Sequence, residues 1–407
     1  MVKLKSGRRE FICDALGAAA FGALGGCATG GAASIGRTYP GWRPGELDIH
    51  LIHTGRSENS FMIFPDGTTL LLDCGHIEHR KAGYAEAIPP APDGTRRAGE
   101  WVRRYIERLI PQREIDYLMV SHWHTDHIAG IEDVAASFRF LNFYDHQYPN
   151  VGQYRKNADV VDLEKFQAWF SRALAGGMKR EPFKVGAENQ IRLRHDQKGT
   201  YADAFRIRNL AANGVVWDGK DGVVDCAAEH VKATGEKGIW ENTLSSAILI
   251  RYGGFTYFTG GDLEGEFVGA DGKKFSYEAR VGEVAGPVQV CKVNHHGYWT
   301  AMQDGFVKAV RPQLFVSSSW SPNQQNLETL GRMTSPSNYA GPRVVAYGAI
   351  PDFRMREFRE KGLDGFLAPA GHAVVKVAPG GRTFQLYTLS TADESMTVVG
   401  IRNFSCR

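Results

Sequence analysis

The stretch that decides the fold is IDYLMVSHWHTDHIAG, residues 115–130. Its first six residues, Ile115 to Val120, are apolar apart from Asp116 and rich in the residue types of a buried strand. That strand runs straight into His122, His124, Asp126 and His127. His122 and His124 stand two apart at a strand end, so their side chains can point the same way. Asp126 and His127 follow where a helix begins, with Thr125 placed to cap it. Four nitrogen or carboxylate ligands this close together suit Zn²⁺, or less selectively Mn²⁺ or Fe²⁺. Without a metal, the same cluster would repel itself strongly if every imidazole were protonated.

Upstream, LDIHLIHTG leads to NSFMIF, the turn Pro65-Asp66-Gly67, and TTLLLD, which reads as strands with a hairpin ending at Asp73. GEWVRRYIERLI then repeats Trp101, Val102, Tyr105, Ile106, Leu109 and Ile110 at helical spacing until Pro111 stops it. The second half follows the same plan. SSAILIRYGGFTYFTGGD is strand, Gly253-Gly254 turn and strand ending at Asp262, and VQVCKVNHHG is again an apolar strand running into histidines. Two halves of the form "hairpin ending in Asp, later strand ending in His" would meet at one seam, with helices covering two packed sheets. Chance recurrence of hairpins is the alternative.

Between the halves lies an insertion at about 141–241, with a helix expected over 159–175. It reads either as a lid or substrate wall or as an extension of the scaffold. The tail offers VVAYGA and then HAVVKVAPGGRTFQLYTLS, a hairpin about Gly380-Gly381 that would add edge strands.

The chain of 407 residues, 43% hydrophobic and 23% charged, has ample material for a large core. With 48 basic against 45 acidic residues its formal charge is +3, which lacks the overall field of a typical nucleic-acid binder. Arg103-Arg104 reads as a solvated helix face, and nucleic acid stays open as a substrate. No later segment offers about 18 consecutive apolar residues, as a bilayer span would.

The first thirty residues, MVKLKSGRREFICDALGAAAFGALGGCATG, stand apart. Basic residues, Arg8-Arg9 and a Gly/Ala-rich stretch resemble a twin-arginine export signal, and Leu24-Gly25-Gly26-Cys27 resembles a lipoprotein cleavage box. An ordinary amphipathic helix is the other reading, although each Gly there would cost about 1 kcal/mol. The expectation is a leader at 1–30, a polar tether at 31–44 and a catalytic domain at 45–400, in a periplasmic protein or one held at the membrane only through a lipid on Cys27. Cys74, Cys226, Cys291 and Cys406 are expected mostly as buried thiols. Cys74, beside Asp73, could also be read as a nucleophile.

Taken together, HxHxDH at 122–127, Asp73 in LLLDCG, Asp262 in FTGGDLEG and the KVNHHG segment resemble, in order, the motifs of the metallo-β-lactamase superfamily of metal-dependent hydrolases. The His pair, together with Asn242, Ser245 and Ser246 in ENTLSSAILI, is similar to the branch related to the hydrolase domain of the competence DNA-uptake protein. The resemblance implies an α/β fold, a four-layer αββα sandwich, over residues 45–390. It implies two divalent ions, zinc first, with manganese or iron as alternatives.

One ion would be held by His122, His124 and Asp262, and the second by Asp126, His127, Asp262 and one of His295 or His296, with His296 favoured because it precedes Gly297. Asp126 would also orient the nucleophilic water, His295 would face the substrate, and Asp73 and Asn242 would support the ligands. A further histidine that many members supply has only His146, His195 and His230 as candidates, and Tyr298 replaces the usual small residue after His-Gly. The implied function is an exported two-metal hydrolase acting on a small-molecule or phosphoester substrate, most naturally a phosphodiester. Cleavage of a C–N, C–O or thioester bond, and a non-catalytic metal-binding protein, are the alternatives.

Overall fold

Period-two alternation builds two sheets and sorts their side chains into three apolar layers. The computed structural model describes residues 34–407 except 79–86, 147–162, 236–238, 269–271 and 273. The expected leader therefore lies outside the described residues, as does the first part of the helix expected over 159–175.

The first sheet contains β1 (Leu47–Leu51), β2 (Asn59–Ile63), β3 (Thr69–Cys74), β4 (Glu114–Met119), β5 (Arg139–Asp145) and β6 (Lys179–Pro182). The second contains β7 (Phe205–Ala212), β8 (Val215–Trp217), β9 (Val223–Asp225), β10 (Ala247–Tyr252), β11 (Phe255–Thr259), β14 (Val290–Lys292), β15 (Leu314–Ser317) and β16 (Val344–Tyr347); β12 (Glu266–Val268) and β13 (Lys274–Ser276) form a separate ribbon. The tail returns to the first sheet as β17 (His372–Val377), β18 (Thr383–Leu389) and β19 (Val398–Ser405). The orders are β19-β18-β17-β1-β2-β3-β4-β5-β6 and β16-β15-β14-β11-β10-β7-β8-β9.

The repeated plan is visible in the pairing. β2 and β3 are antiparallel and β3, β4 and β5 parallel; β10 and β11 are antiparallel and β11, β14 and β15 parallel. Met62, Leu70, Leu72, Tyr117 and Met119 of the first sheet share one core with Ile248, Ile250, Tyr257, Val290 and Leu314 of the second. Their neighbours Phe61, Leu71 and Leu118 face outward against Val102 and Ile106 of the helix Ala98–Leu109. Leu249, Phe258 and Cys291 face outward against Val281 and Phe306 of the helices Tyr277–Ala285 and Asp304–Val310. Helices outside, two sheets inside: this is the expected four-layer αββα sandwich. Each fully buried Leu, Ile or Phe contributes about 1.5–3 kcal/mol to it.

The described parts of the insertion extend the scaffold. β6 pairs with β5, and β7 to β9 form one flank of the second sheet. In the tail, β16 and β19 are edge strands, whereas β17 is internal and pairs with β1. Residues expected as a tether are seated against the sheet: Tyr39 is buried and its hydroxyl donates to Asp48 at 2.6 Å. Cys74, Cys226 and Cys291 are buried free thiols and Cys406 is partly exposed. Burial raises the Cys74 pKa well above its usual value, so it is a poor thiolate. Among the described residues no helix is long and apolar enough to cross a membrane.

At the β1–β17 seam sit His50, His53 and His372, all buried. The backbone N–H of His53 donates to Nδ1 of His372 at 3.0 Å. Burial depresses the three imidazoles to about 3, about 4 and about 3, against 6.5 ordinarily. They are neutral when folded and take up protons on unfolding, so their stabilising contribution is complete above pH 6.5 and is lost as the pH falls towards 4. His372→Gln keeps an acceptor but removes one such proton. The stability gap between wild type and this variant, from urea denaturation, should shrink as pH falls below 6.5, at a slope approaching about 1.4 kcal/mol per pH unit. Parallel stability curves would show that His372 does not titrate this way.

Candidate metal centre

The first half of the centre is fixed by Asp73. At the end of β3 its backbone turns into the left-handed region (φ 57°), costly for a non-glycine residue and found where surroundings impose it. The turn lets Oδ1 accept from the Ser121 N–H (2.7 Å), while Oδ2 accepts from the Ser121 hydroxyl (2.6 Å) and faces Nδ1 of His127 (2.9 Å). The last contact keeps a proton on Nδ1 of His127 and aims Nε2 into the site. The loop after β4 is pinned by its backbone: Glu58 N–H donates to the Asp126 carbonyl and His76 N–H to the Thr125 carbonyl. The short helix Thr125–Ile128 has His124 at its N-cap position, with no capping hydrogen bond from that side chain, and Thr125 is its first residue, not the cap its sequence suggests. His124 is extended (φ −76°, ψ 153°), which starts the helix one residue earlier.

The second half comes from the ends of β11 and β14. Asp262 N–H donates to the Ser245 hydroxyl at 3.1 Å. His295 and His296 both adopt left-handed backbone (φ 43° and 54°), a sharp bend that sends them different ways. His296 is buried, and its Nδ1 lies 2.9 Å from the Ser318 carbonyl, again leaving Nε2 free to face inward. His295 stays at the rim. Its Nδ1 lies 2.7 Å from Glu264, its Nε2 3.2 Å from the Asn242 amide, and its ring 5.2 Å from Tyr298.

Among the described residues, Asp126, His127, Asp262 and His296 each bring one ligand atom within 4.8 Å of the others. Four edges of this cage are 3.1 Å (His296–Asp126), 3.2 Å (His296–Asp262), 3.3 Å (His127–Asp262) and 3.6 Å (His127–Asp126). Tetrahedral ligands at about 2.0–2.2 Å from one zinc would lie about 3.3–3.6 Å apart, so the donor set fits a divalent ion. Nε2 of His127 is buried and makes no hydrogen bond, which suits the same role. Beside the cage, Nε2 of His122 is 3.1 Å from Nδ1 of His124 and 3.9 Å from Asp262 Oδ2, so three donors of a second position adjoin the first. His295 Nε2 also lies 3.9 Å from that oxygen. Four imidazoles therefore converge on Oδ2 of Asp262.

Burial would depress the His127 imidazole, but Asp262, Asp126 and Asp73 push it up to about 10. His296 is likewise raised well above its usual value, against the pull of burial, by Asp262 and Asp126. Burial would raise Asp126, and the facing His127 and His296 hold it below its ordinary range. His122, buried and beside His127, is held well below 6.5. Cationic imidazolium thus balances carboxylate where a metal ion would otherwise do so, and ion uptake must release those protons.

Several contributors were invisible as motifs. Glu58 reaches Nδ1 of His296 at 3.3 Å, Lys292 lies under Asp262, and Trp320 donates its indole N–H to Asp126 at 3.0 Å. Glu264 accepts from His295, Asn242 and the Thr300 hydroxyl. A lysine on the inward face of a central strand was the one available signal, since buried ammonium needs partners. Of the three candidate extra histidines, none joins the cage. His146 is buried against Glu241 (3.0 Å), which also accepts from Trp123 N–H; His195 meets Asp116 near the surface; His230 belongs to the helix Cys226–Thr234.

Residues 53–185 match the family model described as the metallo-beta-lactamase superfamily. Similar solved structures include Zn²⁺-bound PqqB from Methylobacterium extorquens (12% identity, 80% of this chain and 98% of that chain, TM-score 0.38). Unliganded yeast PDE1 is similar at 12% identity, covering 81% and 98%, with a TM-score of 0.37. CmlA, a diiron β-hydroxylase from Streptomyces venezuelae, is similar at 12% identity, covering 82% and 55%, with a TM-score of 0.38. This chain spans about half the length of the hydroxylase chains it matches, 46% and 55%. A comparison with curated proteins returns no match. These likenesses are of fold alone.

Gly75 tests how tightly the two strand ends are set. A Cβ there would lie 1.8 Å from the Asp126 carbonyl oxygen, a backbone atom that cannot swing aside. Gly75→Ala should therefore displace Asp126 and His127 and weaken zinc binding at least about tenfold, as disturbed ligand support does elsewhere. Chelator-competition titration of zinc checks this; wild-type affinity in a folded Gly75→Ala protein would contradict the geometry.

Proposed function

We propose that this protein is a two-metal hydrolase acting on a phosphodiester or related phosphoester. The observation that carries the reading is the convergence of four imidazoles on one carboxylate oxygen, with Asp126 completing one cage and His122 and His124 beginning a second. Two divalent ions bound there, zinc first and manganese or iron as alternatives, would supply Lewis acidity, lowering the pKa of a water from about 15.7 towards about 7 and polarising the electrophile.

The chain's own residues supply orientation and proton transfer. Asp126 accepts from the Trp320 indole N–H, which fixes its carboxylate as an acceptor for the proton of an attacking water. His295 sits at the rim with Nδ1 against Glu264, and the Thr300 hydroxyl and Asn242 amide hold that carboxylate in turn. Burial opposes its charging, but Asp262 and Glu264 raise its pKa, and a proton on Nε2 requires that atom to exchange its contact with the donating Asn242 amide nitrogen for the substrate. Giving that proton to the departing oxygen is general acid catalysis, worth about 10²–10⁴-fold. The second ion position has three protein donors, since His146 is held by Glu241 and Asn213, and that leaves it open to substrate. The Arg104 guanidinium is paired with Glu394, which supports reading Arg103-Arg104 as part of a helix face, not as a strand-binding channel. With residues 1–30 as an export leader, the reaction would take place beyond the inner membrane.

Purified metal-loaded protein should hydrolyse bis-p-nitrophenyl phosphate and leave nitrocefin and a thioester largely intact. Turnover of either of the latter without phosphodiesterase activity would overturn the assignment. His122→Ala/Asp126→Ala should abolish turnover. His295→Gln should lower kcat by about 10²–10⁴ while zinc content stays at the wild-type level; a kcat within a few-fold of wild type would remove His295 from proton transfer.

A further inference from the structure

Beneath the cage lies an ion pair for which the proposed chemistry has no direct use. Lys292 ends β14, and its side chain is on the inward face that Val290 occupies two residues earlier. Its ammonium donates to the Gly261 carbonyl at 2.8 Å, pairs with Glu58 at 3.4 Å and lies 3.8 Å from Oδ1 of Asp262. Neither partner meets solvent: their side chains are 1% and 3% exposed. Glu58, just before β2, also faces Nδ1 of His296. The pair thus ties the first sheet to two groups of the cage that come from the second.

Buried ion pairs are weak sources of stability, because desolvation offsets most of the attraction and apolar replacements are often neutral or better. Position is what this one provides. Asp262 Oδ1 makes no hydrogen bond, and Lys292 is the cation on its side, while His122, His127, His295 and His296 all address Oδ2. We propose that Lys292 is a positioning residue whose ammonium, 3.8 Å away, holds Oδ1 of Asp262 by charge and leaves Oδ2 as the oxygen that faces both ion positions. Without it the carboxylate is free to turn and give both oxygens to one ion, and the second ion loses a ligand. The inference rests on the two-metal reading.

The test uses the full chain and Mn²⁺ alone as probe, with bound-ion stoichiometry, competition titration and electron paramagnetic resonance as readouts. Lys292→Met/Glu58→Gln removes both charges and leaves the net charge unchanged; Glu58→Gln alone keeps the ammonium. Wild type should bind two ions with a spin-coupled signal. The double variant should keep its fold by circular dichroism, bind the second ion at least about tenfold more weakly and lose the coupled signal. Glu58→Gln alone should retain that signal.

A folded double variant with both affinities within about threefold of wild type and unchanged coupling overturns the inference. So does a double variant that fails to fold, or loss of coupling in Glu58→Gln alone, because either makes the pair a packing element. Wild type binding fewer than two ions overturns the two-metal reading itself, and this inference with it.

Discussion

The structure depends most on how it tolerates the buried carboxylate of Asp262. A lone ionised carboxylate away from water costs several kcal/mol, and here Asp126, Asp73 and Glu58 are buried within the same few ångströms. The solution is positional. Oδ2 faces His122, His127, His295 and His296, and Oδ1 faces Lys292. These groups come from the ends of two strands, β4 of the first sheet and β14 of the second, so the carboxylate is accommodated only when the sheets pack with their polar ends together. Fold and centre are therefore one problem: the apolar layer between the sheets aligns the strands, and the alignment brings compensating charge to Asp262.

That dependence explains the strain at the centre. Asp73, His295 and His296 all hold left-handed backbone that their side chains would not choose. Each conformation is imposed by contacts on both sides: two Ser121 donors and His127 for Asp73, Glu264 and Asn242 for His295, and Ser318 with Asp126 for His296. The glycines beside them serve close approach. Gly75 lies against Asp126 and Gly261 against Ser121, where any side chain would collide.

Much of this was legible in the sequence because it rests on local pattern. The apolar runs NSFMIF and TTLLLD, bounded by turn residues, gave β2 and β3, the helical spacing gave Ala98–Leu109, and the two runs into His122 and His295 gave strands that end at the centre. The reading failed where long-range packing decides. Thr125 looked like a cap, but His124 takes that place because it must remain extended to face His122. Glu58, Glu264 and Trp320 belong to no spacing rule; they matter only because strands far apart in sequence end side by side. The insertion was ambiguous between wall and scaffold, and β6 to β9 are ordinary sheet extensions whose polar edges disguise their role.

The repeated halves show how one backbone plan yields two chemistries. Asp73 and Asp262 occupy matching places, each beyond a hairpin and each beside a parallel strand that ends in histidine. Asp73 already takes three donors, from Ser121 N–H, Ser121 Oγ and His127 Nδ1, so both its oxygens are engaged and it serves to orient a ligand. For Asp262 the residue in the place of Ser121 is Asn294, whose amide donates to Glu278, and Ser245, before β10, accepts only from the backbone N–H of the aspartate. The ammonium of Lys292, arriving from the neighbouring strand, then lies beside one oxygen and leaves the other open. Donors on both oxygens thus make Asp73 a supporting aspartate, whereas Lys292 beside one oxygen and four imidazoles facing the other leave Asp262 able to share two ions, although similar strand geometry places both.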